Sequence, residues 1–375
     1  MTAHTRRGFL AASTLGLAAC AQRRIPVAAT VAPRPQLARV NVSADRVIRS
    51  IAGLRPFRPS GFVVRAQKLD TKTVIHNYGH GGAGITLSWG TAQLAVDMAP
   101  RDLSREASRE CAVIGCGVVG LSTARLLQER GFSPVIYARE MPPSTTSNVA
   151  GGLWEPTSVF DRPMVTPEFR AQFSDAARIA FRRYQSFAGE PYGVRWLPLY
   201  SLSRDREYTP PPPESPNFDV ETLYPEAGTL NAGQHPFDVP YVHRRQTMLI
   251  EPAIYLGALI RDFHAAGGRI VIREFASTQE VAALREELIF NCTGLGARAL
   301  FGDTELTPIR GQLVFLLPQP EVNYCMIGPN IYMFPRRDGI LLGGTFDRGV
   351  STTDPDPAIT QRILNDNAAI FNAMH

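Results

Sequence analysis

Residues 111–131 read CAVIGCGVVGLSTARLLQERG, and the fold turns on how this stretch is parsed. Cys111 to Ile114 is a short apolar, β-branched run of the kind that forms a buried strand. Gly115, Gly117 and Gly120 follow with G-x-G-x-x-G spacing. Leu121, Ala124, Leu126 and Leu127 then recur with helical period up to Gly131, a residue suited to the position just past a helix. Strand, glycine turn and helix make the first unit of a dinucleotide-binding fold. Gly115 allows the tight turn, Gly117 lets the backbone approach a pyrophosphate, and Gly120 lets helix pack closely on strand. Val118 and Val119 open the helix, whose unpaired N–H groups face the phosphates. Such a glycine pattern is weak alone; its setting between strand and helix gives it weight. Its position is unusual, because 110 residues precede a unit that normally opens its chain.

At 375 residues, with 44% hydrophobic content, the chain is long enough for two subdomains. The net charge of +5 owes part of its excess to Arg6, Arg7, Arg23 and Arg24. No Lys/Arg stripe with interleaved aromatics is present, which argues against nucleic acid as a partner.

Thr5-Arg6-Arg7-Gly8-Phe9-Leu10, followed by an apolar stretch to Ala19, has the plan of a secretory signal. The stretch is too short for a stable membrane span. The paired arginines resemble a twin-arginine export signal, which predicts a periplasmic protein. Leu17-Ala18-Ala19-Cys20 also resembles a lipobox, so Cys20 is a candidate lipid anchor, with a simple cleaved signal as the other reading. Residues 21–36, with Pro26, Pro33 and Pro35, read as a tether. Cys111, Cys116, Cys292 and Cys325 have no metal-ligand spacing and read as structural thiols. No metal site is expected.

Ahead of the glycine motif, Ala44 to Ile51 reads as a strand leading into Gly53-Leu54-Arg55-Pro56-Phe57-Arg58-Pro59. Each proline restricts the arginine before it. Arginines held this rigidly suit bidentate capture of a carboxylate, with solvated loop arginines as the alternative. Thr73 to Tyr78 is the next strand. Gly79-His80-Gly81-Gly82-Ala83-Gly84 then feeds a helix predicted from Ile85 to Met98, whose N-terminus offers a second anion-favouring site. His80 reads as a hydrogen-bonded loop residue rather than a catalytic one.

Here a resemblance becomes specific. Val74 to Gly90, with Gly81, Gly82, Gly84, Ile85 and Thr86 at its centre, resembles the C-terminal flavin-binding signature of D-amino-acid oxidases. Gly53 to Pro59 resembles that family's substrate-carboxylate segment. In the family both lie near the end of the chain; here they precede the nucleotide motif. The order resembles a circular permutation. Residues 99–110 could span roughly 35–40 Å when extended, enough for the join.

Beyond the motif, Pro134 to Ala138 is a strand ending at Arg139-Glu140, where dinucleotide folds usually place an acidic ribose ligand. The family's order is acid then arginine, so the ribose ligand stays open between the two. Arg139 would also suit a 2′-phosphate, which keeps a nicotinamide cofactor in view. Ser144 to Trp154 resembles the family's loop over pyrophosphate and flavin, giving Thr145, Thr146, Ser147, Gly152, Leu153 and Trp154 as cofactor candidates. Cys292-Thr293-Gly294 resembles another cofactor-side segment. Helices are expected over Glu168–Ala188, Ala253–Ala266 and Ala358–Met374, and strands over Trp196–Ser203, Tyr241–Ile250, Arg269–Arg273, Leu288–Cys292 and Arg310–Leu317. Asn330–Pro335 and Gly339–Gly344 read as a hairpin with a D-G turn. Tyr332 matches the family's carboxylate-binding tyrosine. The second tyrosine expected four residues earlier is replaced by Gly328, which bears on the pocket's lid. Arg336 and Arg337 read as solvated turn residues.

The expected architecture is α/β: an FAD-binding Rossmann-like domain plus a mixed or antiparallel substrate sheet. The expected parts are an export signal (1–20), a tether (21–36), a carboxylate-binding segment of the substrate domain (37–69) and a flavin-binding strand and helix with linker (70–110). The Rossmann unit (111–155), substrate domain (156–250), a further FAD segment (251–300) and the hairpin with a final helix (301–375) follow. The resemblance implies FAD as cofactor and a D-amino acid and oxygen as partners. The implied reaction is hydride transfer from Cα to flavin N5, then hydrolysis to a 2-oxo acid and ammonia, with peroxide formed on reoxidation. It also implies that Arg55 and Tyr332 hold the substrate carboxylate and that Gly82 accepts from the amine. A dehydrogenase passing electrons to a membrane carrier, an NADP-dependent reductase and a non-catalytic flavin-binding module are the other readings.

Overall fold

The computed structural model describes residues 34–100, 109–204, 209, 211, 215 and 218–375. The expected export signal, Cys20, most of the tether and most of the join after residue 100 lie outside them. The chain runs β1 (Val47–Phe57), β2 (Val63–Leu69), β3 (Lys72–Tyr78), α1 (Gly84–Val96), β4 (Glu110–Ile114), α2 (Val118–Glu129), β5 (Ser133–Ala138), α3 (Thr146–Val149) and α4 (Pro167–Gln185). It continues through β6 (Val194–Ser203), α5 (Phe218–Glu221), β7 (Gly228–Asn231), β8 (Tyr241–Ile250), α6 (Pro252–Ala265), β9 (Arg269–Ile272), α7 (Thr278–Ala282), β10 (Leu288–Asn291) and α8 (Gly296–Leu300). The last elements are β11 (Thr307–Leu316), β12 (Cys325–Gly328), β13 (Ile331–Arg336), β14 (Gly339–Gly343), β15 (Asp347–Arg348) and α9 (Pro357–Asn372).

One sheet has the order β2-β3-β10-β4-β5-β9. From β3 to β9 the pairings are parallel, and β2 joins antiparallel at the edge. Both faces are covered, as a parallel sheet requires. Ile75, Cys111, Val113, Ile136 and Phe290 point to the side carrying α1 and α2, while Val74, Ala112, Ile114, Val135 and Ile289 pack with Val281 and Leu284 of the α7 side. The second sheet runs β1-β11-β14-β13-β12-β6-β8-β7, with β15 also on β11. It is antiparallel except for β12 beside β6. This is the mixed two-sheet α/β architecture expected.

The helices start where local chemistry says they should. Pro167 sits in the first turn of α4, and the Thr166 hydroxyl accepts from the Phe169 N–H at 3.2 Å. Asp356 caps α9 at 2.8 Å ahead of Pro357. α1 is buried on nearly every side because α2 and α4 flank it.

Three features differ from the sequence reading. Val63–Leu69 is a strand of the nucleotide sheet rather than part of the substrate portion. β1 runs through Gly53 and Pro56 to Phe57, pairing with β11 along its length. As an edge strand it tolerates a proline. Arg336 is buried, not solvated: it donates to the Ala150 carbonyl and to Asp338 and lies 5.1 Å from the centroid of the Phe315 ring. Residues 35–375 form one compact unit, and Arg39 near its start donates to the carbonyl of Met374 near its end.

Candidate active site

The β4–α2 turn has no room for side chains. Gly115 has φ +113°, and a Cβ there would lie 2.4 Å from the Cys292 carbonyl oxygen. A Cβ on Gly120 would lie 2.0 Å from the Gly115 oxygen. That crowding holds the N-terminus of α2 over the carboxyl end of β4, the crevice where open α/β sheets take ligands. The Val118 N–H donates to the Ser147 Oγ at 3.0 Å, which seats the Thr145–Ser147 loop against the same helix end. Further along, Arg139 is two-thirds exposed and shared between Glu140 at 3.2 Å and Glu274 at 3.3 Å. The arginine's charge there is balanced by carboxylates, a poorer setting for a 2′-phosphate than a lone cation would be.

A second glycine turn faces the same space. A Cβ on Gly81 (φ +57°) would lie 2.0 Å from the Ser158 carbonyl oxygen, to which the Gly82 N–H donates at 3.0 Å. The Thr86 hydroxyl, in the first turn of α1, bonds the Leu153 and Glu155 carbonyls at 3.3 Å each. The imidazole of His80 is buried, bonds the Thr91 Oγ1 at 2.9 Å and stacks on Phe62. Burial pushes its pKa down to about 3, so it is a neutral structural residue.

At the other end of the space stands Arg55 on β1. Its Nη1 donates to the Thr345 carbonyl at 3.1 Å and the Arg310 carbonyl at 3.4 Å, while the guanidinium lies over Gly311. A Cβ at position 311 would be 2.5 Å from both terminal nitrogens. Tyr332 on β13 lines the same cavity as Arg55; burial raises its pKa and the guanidinium opposes the rise. Phe346 adds an aromatic ring 5.8 Å from the Arg55 guanidinium. The companion Arg58 does something else. It is held by Asp303 at 2.9 Å and Glu305 at 2.5 Å, and Asp303 also accepts from Tyr78 at 2.8 Å. Arg58 clamps the segment; Arg55 faces the cavity.

The two glycine turns, Arg55 and Tyr332 line one cavity of about 1430 Å³, above the roughly 300–1,000 Å³ of a common small-molecule pocket. The space suits a dinucleotide together with a second ligand. Its walls include Arg55, Tyr332, Gly81, Gly82, Gly84, Ile85, Gly115, Gly117, Val118, Val119, Arg139, Glu140, Thr145, Thr146, Ser147, Gly152, Leu153, Thr293 and Gly294. Three expected cofactor residues are not on the wall. Gly120 is spent on helix packing, Thr86 is buried behind the turn, and Trp154 is turned into an aromatic cluster with Phe181 and Tyr224. Phe346, Thr345 and Glu155 line the cavity without having been singled out in the sequence; they carry no motif of their own. The four cysteines within the described residues are buried and free. Burial pushes the thiols of Cys116 and Cys292, both on the wall, up to about 12. Among the described residues no cluster of His, Cys, Asp or Glu is arranged to hold a metal.

Two sheets, a glycine-lined crevice at the carboxyl ends of the parallel strands and a cationic pocket beyond it define a protein shaped to take a dinucleotide beside a second, anionic ligand. The sequence profile of the FAD dependent oxidoreductase family, DAO, matches residues 13–98 and 110–374, and the chain belongs to that family, with FAD as its cofactor. It is 33% identical to a D-amino-acid oxidase of Rubrobacter xylanophilus over 69% of this chain and 76% of that protein. A D-amino-acid oxidase of Streptomyces coelicolor is 31% identical over 72% of this chain and 80% of its own. Among solved structures, glycine oxidase from Bacillus cereus superposes with a TM-score of 0.51 at 15% identity, covering 70% of this chain and 78% of that one, which establishes the common fold.

Proposed function

We propose that the protein oxidises D-amino acids at Cα. The observation that carries this reading is the placement of Arg55 and Tyr332 in the same cavity as the two glycine turns. The chemistry is divided between FAD and the chain. FAD, when bound, supplies the acceptor for the Cα hydride, the imino acid then hydrolysing to a 2-oxo acid and ammonia and oxygen taking the electrons as hydrogen peroxide. The turns at Gly115–Val118 and Gly81–Ile85 would hold the cofactor, the first against its phosphates. Arg55 takes the substrate carboxylate, Tyr332 adds a hydrogen bond, and the Gly82 carbonyl accepts from the amine. With the carboxylate fixed, orientation carries much of the rate and no dedicated base is needed. The test is the visible spectrum of the purified protein under argon. Flavin bands should bleach with D- and not L-amino acids; a flavin that no amino acid bleaches refutes the substrate assignment. Peroxide yield under air separates an oxidase from a dehydrogenase.

We also propose that the chain is circularly permuted and exported. Support for permutation is the order of the motifs, the strand pairing β1·β11 across the ends of the chain, and the Arg39–Met374 contact beside buried Val40, Phe371 and Met374. A gene rejoined from residue 375 to residue 37 and opened between 101 and 108 should bind FAD and oxidise the same substrates. Failure of that rejoined chain to fold would count against permutation. The Arg6-Arg7 and Leu17–Cys20 segments support export and lipidation at Cys20, testable by mass spectrometry of the mature N-terminus.

A further inference from the structure

The charged groups at the substrate end of the cavity are not equally satisfied. Asp347 on the wall is paired with buried Arg310 at 3.4 Å, and Arg362 on α9 with Asp366 one helical turn away at 3.2 Å. Arg55 is committed to the substrate carboxylate in the reading above. Glu155 is different. Its Oε2 accepts from Arg245 Nη2 at 2.5 Å and from the Tyr224 hydroxyl at 3.0 Å. Arg245 is itself buried, lies 4.1 Å from the centroid of the Tyr224 ring, and reaches a second carboxylate, Glu221, at 3.1 Å. One guanidinium therefore serves two carboxylates. No described residue bonds Glu155 Oε1, and the residue lines the cavity.

The backbone fixes where Glu155 stands. The Glu155 N–H and carbonyl both bond the Thr86 hydroxyl, and the next residues, Thr157 and Ser158, lie against Gly82. Leu153, two residues earlier, packs in the cluster that holds Tyr332 and Phe334. Glu155 thus stands between the Gly82 turn and the Tyr332 wall, away from the Arg139 end.

We propose that Glu155 is a specificity-determining residue that selects D-amino acids with a cationic side chain, whose ammonium or guanidinium donates to Oε1. The proposal rests on the D-amino-acid reading of this cavity. A charge-assisted hydrogen bond in a partly desolvated site favours the cation, and the same carboxylate repels an acidic side chain, so one residue supplies both attraction and rejection.

The experiment compares D-lysine with D-norleucine, of matching chain length, and with D-glutamate. The holoenzyme should favour D-lysine over D-norleucine in kcat/KM by about 10- to 100-fold, and D-glutamate should be poorest. In Glu155→Gln that preference ratio should collapse toward one. Glu221→Gln, which touches the same arginine from behind, should keep the ratio, so a merely structural role for the ion pair would show itself. A second readout needs no turnover: 6-aminohexanoate should bind more tightly than hexanoate, by the shift in flavin absorbance, and lose the advantage in Glu155→Gln. Equal preference in the unaltered enzyme, or an unchanged ratio in Glu155→Gln, overturns the proposal. So does a variant that alters FAD affinity and leaves the ratio intact, which would assign Glu155 to the cofactor. If neutral D-amino acids bleach the flavin with no charge preference, only this inference fails; if none bleaches it, both fail.

Discussion

Arg55 and Arg58 sit three residues apart in the same motif, and the structure gives them opposite jobs that one pair of substitutions can separate. Arg55→Ala removes a guanidinium that faces the cavity, lies over Gly311 near Phe346 and donates only to the carbonyls of Thr345 and Arg310. Those carbonyls line or adjoin the cavity and can be solvated, so folding should lose little. A substrate carboxylate would lose charge-assisted hydrogen bonds worth about 1.5–3 kcal/mol each, so kcat/KM should fall by about 10²-fold or more, mostly through KM. Arg58→Ala strips the cation from Asp303, whose side chain is 11% exposed, and from Glu305, which is 32% exposed. Breaking a fully buried pair costs about 3–5 kcal/mol; the partial exposure of Glu305 brings the expectation to about 2–4. At roughly 1–2 °C per kcal/mol for a chain of this length, Tm should drop by about 2–8 °C. Differential scanning calorimetry and steady-state kinetics on both variants make the check. An Arg55→Ala enzyme within threefold of normal kcat/KM, or one destabilised as much as Arg58→Ala, would refute the division of labour.

Further expectations follow from the packing. Gly311→Ala places a methyl where the Arg55 guanidinium lies; the side chain must move, so KM should rise by about 10-fold with Tm nearly constant, and unchanged kinetics would contradict the geometry. Ser147→Ala removes the Val118 N–H···Oγ contact that seats the loop on α2; FAD should bind the apoprotein about 3- to 10-fold more weakly, read by quenching of flavin fluorescence. His80 and His76 are held neutral, at about 3 and 4, burial being the main cause in both. An unfolded histidine titrates near 6.5, so between that value and about 4 the unfolded chain binds more protons than the folded one. Stability is fully present above pH 6.5 and falls as the pH drops, by up to about 1.4 kcal/mol per pH unit per histidine. The plot of Tm against pH should flatten over that window in His80→Gln.

How much of this was legible in the chain depends on whether the determinant is local. The strand–glycine–helix unit at 111–131 is written within one stretch, because the turn demands glycine and the flanks must be apolar on the right period. β4, α2 and β5 accordingly lie where the sequence places them. β2 carries no local signal because an edge strand buries little: after Val63 and Val64, the four residues Arg65 to Lys68 are exposed, and no alternation survives to mark it. β1 ran on past Gly53 and Pro56 for the complementary reason, since its outer edge has no ladder to break.

Charged residues were the harder case, and the reason is distance along the chain. Arg55, Arg58 and Arg336 look alike in sequence, each in a segment with a neighbouring proline or turn. Their roles are set by partners elsewhere: Arg58 by Asp303 and Glu305, and Arg336 by the Ala150 carbonyl together with the face of Phe315. Arg55 faces the cavity because β11 offers Gly311, rather than a side chain, at the one place where the guanidinium must lie. A buried guanidinium is stable only if its hydrogen bonds and charge are met, and those partners are fixed by tertiary contacts that no local pattern encodes. The same logic isolates Glu155. Its sequence neighbourhood reads as a loop over flavin, but what makes the carboxylate notable is that Arg245, ninety residues away, is divided between it and Glu221. An ion pair that uses only one oxygen of a carboxylate on a cavity-lining residue leaves the other to meet whatever enters.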